Sequence, residues 1–206
     1  DLGWSGLVVH VSDLLAARGY LVFGLSSRAY LAAFTTRAGT LGESQVPGDY
    51  ATILDAISRF SAGKPVLVGI SEGAGLSVLA AADGRNRGRV AGVITLGLPD
   101  ENELSWRWRD FTAWITKKAP AEPIFKVSDH IAALAPVPLA SLQSTHDEWV
   151  PRAESERLMA LAHEPRRMWL IDSSNHRFSD ARGELDQRIV EALAWMKSPI
   201  PAPAAR

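Results

Sequence analysis

The sequence predicts an α/β fold, a three-layer α/β/α sandwich built on a mainly parallel sheet. Short apolar runs of strand length alternate with stretches whose apolar residues recur at helical spacing, and Gly, Pro or polar turns separate them. That alternation requires crossover helices and a sheet covered on both faces. A chain of 206 residues, 47% hydrophobic and 22% charged, is sized for a single domain with a sizeable core. Repeats at a fixed period are absent.

The elements follow in order. Leu7, Val8, Val11, Leu14 and Leu15 share a helical face, and Gly19 stands where a left-handed cap ends such a helix. Tyr20 to Leu25 reads as a buried strand. Pro47 and Asp49 open a second helix with Ile53, Leu54, Ile57 and Phe60 on one face and Gly63 at its close. Pro65 to Ile70 is the next strand, and the small residues from Glu72 to about Ala82 are helix-compatible. A polar turn over Asp83 to Arg89 leads into a strand from Val90 to Leu96. Pro138 to Leu142 and Met168 to Ile171 supply two more strands. Leu158, Leu161 and Ala162 mark one helix, and Leu185, Ile189, Leu193 and Met196 mark the last.

Two stretches interrupt the alternation. Ser27 to Val46 is weakly patterned, and Pro99 to Pro136 exceeds the usual strand-to-helix connection of about 2 to 6 residues. We expect one domain over residues 1–197 with a cap-like excursion at about 99–136, followed by a Pro-rich tail over 198–206 that cannot continue a helix. No apolar run approaches the roughly 20 residues that span a bilayer, and no signal peptide is visible. The chain opens at Asp1-Leu2-Gly3-Trp4 without Met, so residues upstream are expected.

Composition narrows the chemistry. Lys and Arg total 22 against 23 Asp and Glu, a formal charge of -1, so no basic field draws nucleic acid. The lack of Cys removes disulfides, thiolate zinc sites and Cys nucleophiles, and it selects no compartment. His146 beside Asp147 has no second His at ligand spacing, so no metal site is expected.

Gly69-Ile70-Ser71-Glu72-Gly73 has the form G-x-S-x-G. A chain of this length shows the pattern by chance about one time in ten, so its place between a predicted strand and a predicted helix carries the argument. A sharp strand-to-helix turn lifts the Ser hydroxyl out at the strand's carboxyl end, and the N–H of Glu72 then points toward a developing oxyanion. Serine needs a base to take its proton and an acid to orient that base. Asp147 follows one predicted strand and His176 follows the next, both at the carboxyl edge where Ser71 lies. Glu148 and Asp172 are alternatives to Asp147 as the acid. His10, His130 and His163 read as surface or helix-end residues.

The order Ser71, Asp147, His176, with D-x-x-V-P at Asp147 to Pro151 and N-H-R-F at Asn175 to Phe178, resembles the α/β-hydrolase superfamily over essentially the whole chain. Asp1 to Gly6, Ser27-Arg28-Ala29-Tyr30 and Pro47-Gly48-Asp49-Tyr50 resemble its bacterial VirJ/AcvB-like branch, linked to hydrolysis of lysyl-phosphatidylglycerol. The branch usually reads G-A-D after the nucleophile, where this chain has Gly73-Ala74-Gly75, and the second half looks like dienelactone-hydrolase-type enzymes. The resemblance implies a carboxylic-ester hydrolase working through an acyl-enzyme, with Ser71 as nucleophile, His176 as base, Asp147 as acid and no cofactor. It also implies a second oxyanion N–H from the loop around Asp1 and Leu2, preceded by a strand outside this sequence; one edge of the nucleophile strand's neighbourhood would lie open if nothing preceded Asp1, and a fuller native chain is the simpler expectation.

Trp4, Trp106 and Trp149 are the substrate-pocket candidates. Trp106, Trp108, Phe111 and Trp114, with Arg107, Arg109, Lys117 and Lys118, form either an aromatic cap packed on the sheet or a lid in peripheral contact with lipid. Glu72 is placed to attract a cationic ester. The expected ligand is a small-molecule or lipid ester in a bacterial periplasm or cytoplasm. A peptidase or thioesterase with the same triad, or a silent binding protein of the same fold, are the alternatives.

Overall fold

The computed structural model describes residues 4–36, 39–107 and 123–198. Strands β1 (Val66–Ile70), β2 (Gly92–Leu96), β5 (Leu139–Ser144) and β6 (Arg166–Ile171) lie side by side in that order, all parallel; β3 (Glu101–Glu103) and β4 (Ile124–Lys126) form a separate antiparallel pair. Every residue of β2 and β5 is buried, as expected of central strands with helices on both faces.

Successive residues alternate between two cores. Val93 and Leu139 belong to one; Ile94, Leu96, Ala140 and Leu142 belong to the other. The first core packs α3 (Val46–Ser58), α4 (Glu72–Ala82) and α6 (Arg152–Leu161), and the second packs α1 (Leu7–Ala17) and α7 (Arg182–Lys197). Helix α4 is buried from Ala74 to Ala82, and it is apolar and small on every side because protein surrounds it. The three layers are those the alternation predicts. Gly19 follows α1 at φ +83, the left-handed conformation anticipated for it.

Several expectations change. Tyr20 to Leu25 is not a strand, because no ladder partner runs beside it among the described residues. Leu21, Phe23 and Leu25 are consequently exposed. Among the described residues β1 lies at the edge of the sheet, pairing only with β2. Helix α3 ends at Ser58, short of Gly63, and buries Val46, Pro47, Tyr50 and Leu54; Phe60 lies beyond the helix and is exposed. The weakly patterned stretch contains α2 (Ser27–Phe34), capped by the Ser26 hydroxyl accepting the Ala29 N–H, and a 3-10 turn at Glu43–Gln45. The polar turn holds a short helix, α5 (Gly84–Arg87).

The long excursion is closed at its base by the β3–β4 pair, where Asn102 faces Phe125. Asp100 accepts from the Ser128 N–H and from the Arg157 guanidinium, while Glu154 accepts the Asp100 N–H. These contacts fasten the excursion to α6. Trp108, Arg109, Phe111, Trp114, Lys117 and Lys118 lie outside the described residues, as does the tail beyond Ser198. Among the described residues no helix is long and apolar enough to cross a membrane.

Candidate active site

Strand register brings the loops that follow the strands to one edge of the sheet. Ile70 faces Leu96, Leu96 faces Leu142, and Ser144 faces Ile171, so the strands end along one edge. The residues after them continue the ladder: Ser71 N–H donates to Leu96 O at 2.9 Å, Gly97 N–H to Leu142 O at 3.0 Å and Thr145 N–H to Ile171 O at 3.0 Å. The loops that leave this edge carry Ser71, Asp147 and His176.

Ser71 has φ 53 and ψ -124, a strained conformation for a residue with a side chain. The helix begins directly after it, and its hydroxyl makes no capping bond with that helix. Gly69 makes the sharp turn feasible. A Cβ there would lie 2.4 Å from Ala74 Cα and Gly73 O, so a side chain would push α4 off β1. At Gly73 a Cβ would meet nothing within 4 Å.

His176 Nδ1 lies 2.6 Å from Asp147 Oδ2, and the side chains are 12% and 0% exposed respectively. The other carboxylate oxygen of Asp147 accepts the N–H groups of Trp149 and Val150, each at 2.8 Å. Burial pushes the Asp147 carboxyl upward, but the hydrogen bond and charge of His176 and the two backbone donors outweigh it, so the group is held below the usual carboxylate range. Of the alternative acids, Glu148 accepts the backbone N–H of His176 at 2.7 Å, and Asp172 sits exposed beside Thr145. Neither touches the imidazole in the way Asp147 does. His176 Nε2 is buried and has no hydrogen-bond partner among the described residues. Ser71 and His176 line the same cavity, of about 1580 Å³.

The histidine loop is held from several sides. Asp180 accepts from the Ser173 hydroxyl at 2.6 Å and from the Ser174 N–H, which holds its carboxyl well below the usual range. Asn175 Oδ1 accepts the N–H groups of Arg177 and Ser179. Phe178, at φ 53, is fully buried and anchors the loop in the core.

Sequence reasoning missed Gly97. Its φ is +59, and a Cβ on it would lie 2.5 Å from His176 Cε1 and 2.8 Å from Nδ1. The imidazole occupies the space that a side chain would take. A Gly directly after an apolar strand was the available signal. Trp4, Trp106 and Trp149 all line the cavity, as does Glu72, the first residue of α4. Trp4 packs over Gly24, where a Cβ would collide with its ring, and the Arg28 guanidinium stacks 4.1 Å from the Trp106 ring centroid. Asp1 and Leu2, the expected second oxyanion donors, lie outside the described residues. His10 pairs with Asp186 and His130 with Glu43, away from the edge that carries Ser71. Among the described residues no cluster of three or more His, Asp or Glu is arranged to hold a metal ion.

No family model matches the chain. A stretch of 59 residues is 37% identical to the uncharacterized protein YfhR of Escherichia coli strain K12, a match spanning 28% of this chain and 21% of that protein. The chain thus covers well under two thirds of this relative. Among solved structures, an esterase from Exiguobacterium antarcticum superposes with a TM-score of 0.65 at 14% identity, covering 95% of this chain and 90% of that one. The Pyrococcus furiosus esterase Pf2001 has the same TM-score and identity, with coverage of 91% and 74%. At such identities the likeness is one of fold, and the fold is that of the α/β hydrolases.

Proposed function

We propose that the chain is a serine hydrolase that cleaves carboxylic esters through an acyl-enzyme. One arrangement carries this reading: a serine in a strained turn at the carboxyl edge of the sheet lines the same cavity as a histidine whose Nδ1 is hydrogen-bonded to a buried aspartate. The two solved structures described above are esterases by name, which favours an ester among substrates open to this chemistry.

In this mechanism Ser71 Oγ attacks the ester carbonyl as His176 Nε2 takes its proton. Nε2 suits that role because it is the ring nitrogen left without a partner while Nδ1 is committed to Asp147. Asp147 fixes the tautomer and stabilises the imidazolium that forms. The Glu72 N–H, at the head of α4, stabilises the tetrahedral oxyanion, with a second donor assigned to the loop at Asp1 and Leu2. His176 then protonates the leaving alcohol, and water repeats the sequence on the acyl-enzyme. Trp4, Trp106 and Trp149 supply the apolar wall against which the acyl or alcohol part rests.

A fluorophosphonate probe applied to the full-length protein tests the reading. Wild type is expected to be labelled, Ser71→Ala not at all, and His176→Ala at a rate lower by about 10³-fold or more. Labelling that survives Ser71→Ala, or a folded wild type that resists the probe and turns over no activated ester, overturns the proposal in favour of a silent binding protein.

A further inference from the structure

Gln143 is out of place by composition. It lies on β5, a central strand, and is fully buried where an apolar residue would pack without any need for polar partners. Its amide is nevertheless completely engaged. Nε2 donates to Asp147 Oδ2 at 3.1 Å and to Val150 O at 2.9 Å, with Ser144 O at 3.3 Å, while Oε1 accepts from the Ser155 hydroxyl at 2.8 Å. Three acceptors crowd one end of the amide, so the nitrogen must face Asp147; a reversed amide would set an oxygen against a carboxylate and two carbonyls. Ser155, on α6 and almost wholly buried, pins the opposite end.

We propose that Gln143, held by Ser155, is a positioning residue that fixes the Asp147 carboxylate and limits how tightly it grips the His176 imidazole. The inference rests on the triad reading and deepens it. Asp147 Oδ2 accepts from both His176 Nδ1 and Gln143 Nε2, and Oδ1 accepts from two backbone N–H groups. Gln143, Trp149 and Val150 thus supply neutral donors, which stabilise the anion without cancelling its charge. Two donors on one oxygen also compete. Removing Gln143 Nε2 leaves Oδ2 to the imidazole alone, strengthens that bond and frees the carboxylate to turn.

Two variants in the full-length protein test this. Gln143→Met keeps the volume and removes the amide; Ser155→Ala keeps the amide and releases its far end. The other charged groups near His176 stay in place: Glu148 on the same loop as Asp147, Arg177 next to His176, and Glu72, which lines the same cavity. The readouts are the ring titration of His176 by NMR and the pH dependence of fluorophosphonate labelling, with thermal melting to establish folding.

In Gln143→Met the ring titration and the acid limb of labelling are expected to move up by about half a pH unit, and the plateau rate to fall about tenfold. Ser155→Ala is expected to move both in the same direction by less. A merely structural role would lower the melting temperature and leave the titration where it was. A folded Gln143→Met with wild-type titration overturns the inference, and if that variant does not fold, an unmoved titration in Ser155→Ala does so. A shifted titration in a protein that the probe never labels supports the role of Gln143 and refutes the triad reading instead.

Discussion

Gly97 shows how one missing side chain admits a site. Its positive φ and its van der Waals contact with the imidazole each disfavour a Cβ. Gly97→Ala should displace His176 by a fraction of an ångström or more. Labelling by a fluorophosphonate is expected to slow by about 10²-fold, with a loss of stability of about 1–2 kcal/mol from the backbone strain. Stopped labelling time courses beside a denaturant melt measure the two effects separately. Glu148 acts on the same residue from the other side by accepting its backbone N–H. An amide oxygen can replace the carboxylate there but a methyl group cannot. Glu148→Gln should therefore stay within about twofold of wild type, while Glu148→Ala falls about tenfold. Equal losses in the two variants would assign the effect to charge.

At the scale of elements, the excursion after β2 is tied down where it leaves and re-enters the sheet. The Asp100 carboxylate bridges the Ser128 N–H and Arg157, and its own N–H reaches Glu154. Burial raises the Asp100 carboxyl, but the Arg157 and Ser128 hydrogen bonds bring it below the usual range. Asp100→Asn should destabilise the fold by about 1–2 kcal/mol, discounted because the Arg157 side chain is half exposed. It should also increase proteolysis within the excursion; limited proteolysis at matched melting temperature checks this, and an unchanged cleavage pattern refutes the fastening role. The G-x-S-x-G pattern has an equally local explanation here. Gly69 is required by the approach of α4, whereas Gly73 faces open space.

For the molecule as a whole, pH reports how much the site contributes to stability. Asp147 and Asp100 are both depressed in the folded protein and have little or no exposed side chain. A depressed carboxyl stabilises the fold above its unfolded value and loses that contribution as pH falls through the folded value. The melting temperature should therefore be flat from about pH 5 to 7 and decline below about pH 4. The Asp147→Asn variant should show a shallower decline over the same range. Parallel wild-type and variant curves would mean that the Asp147 carboxylate carries no such weight.

Much of this was legible in the chain itself. Helix α4 begins at Glu72, as its residues implied, and apolar runs located the four strands of the main sheet among the described residues, because period and punctuation are local properties. The loops bearing Ser71, Asp147 and His176 could be named in advance, since parallel strands must end on a common edge. The Tyr20 to Leu25 segment shows the limit: strand-like residues become a strand only beside a partner, and a ladder is a non-local fact. Gln143 and Gly97 show it again at the site. That Asp147 rather than Glu148 or Asp172 meets the imidazole, that a buried amide backs it, and that an absent Cβ makes room for it were decided by side chains far apart in sequence. Distances between such groups exist only once the sheet register and the packed helices have set them.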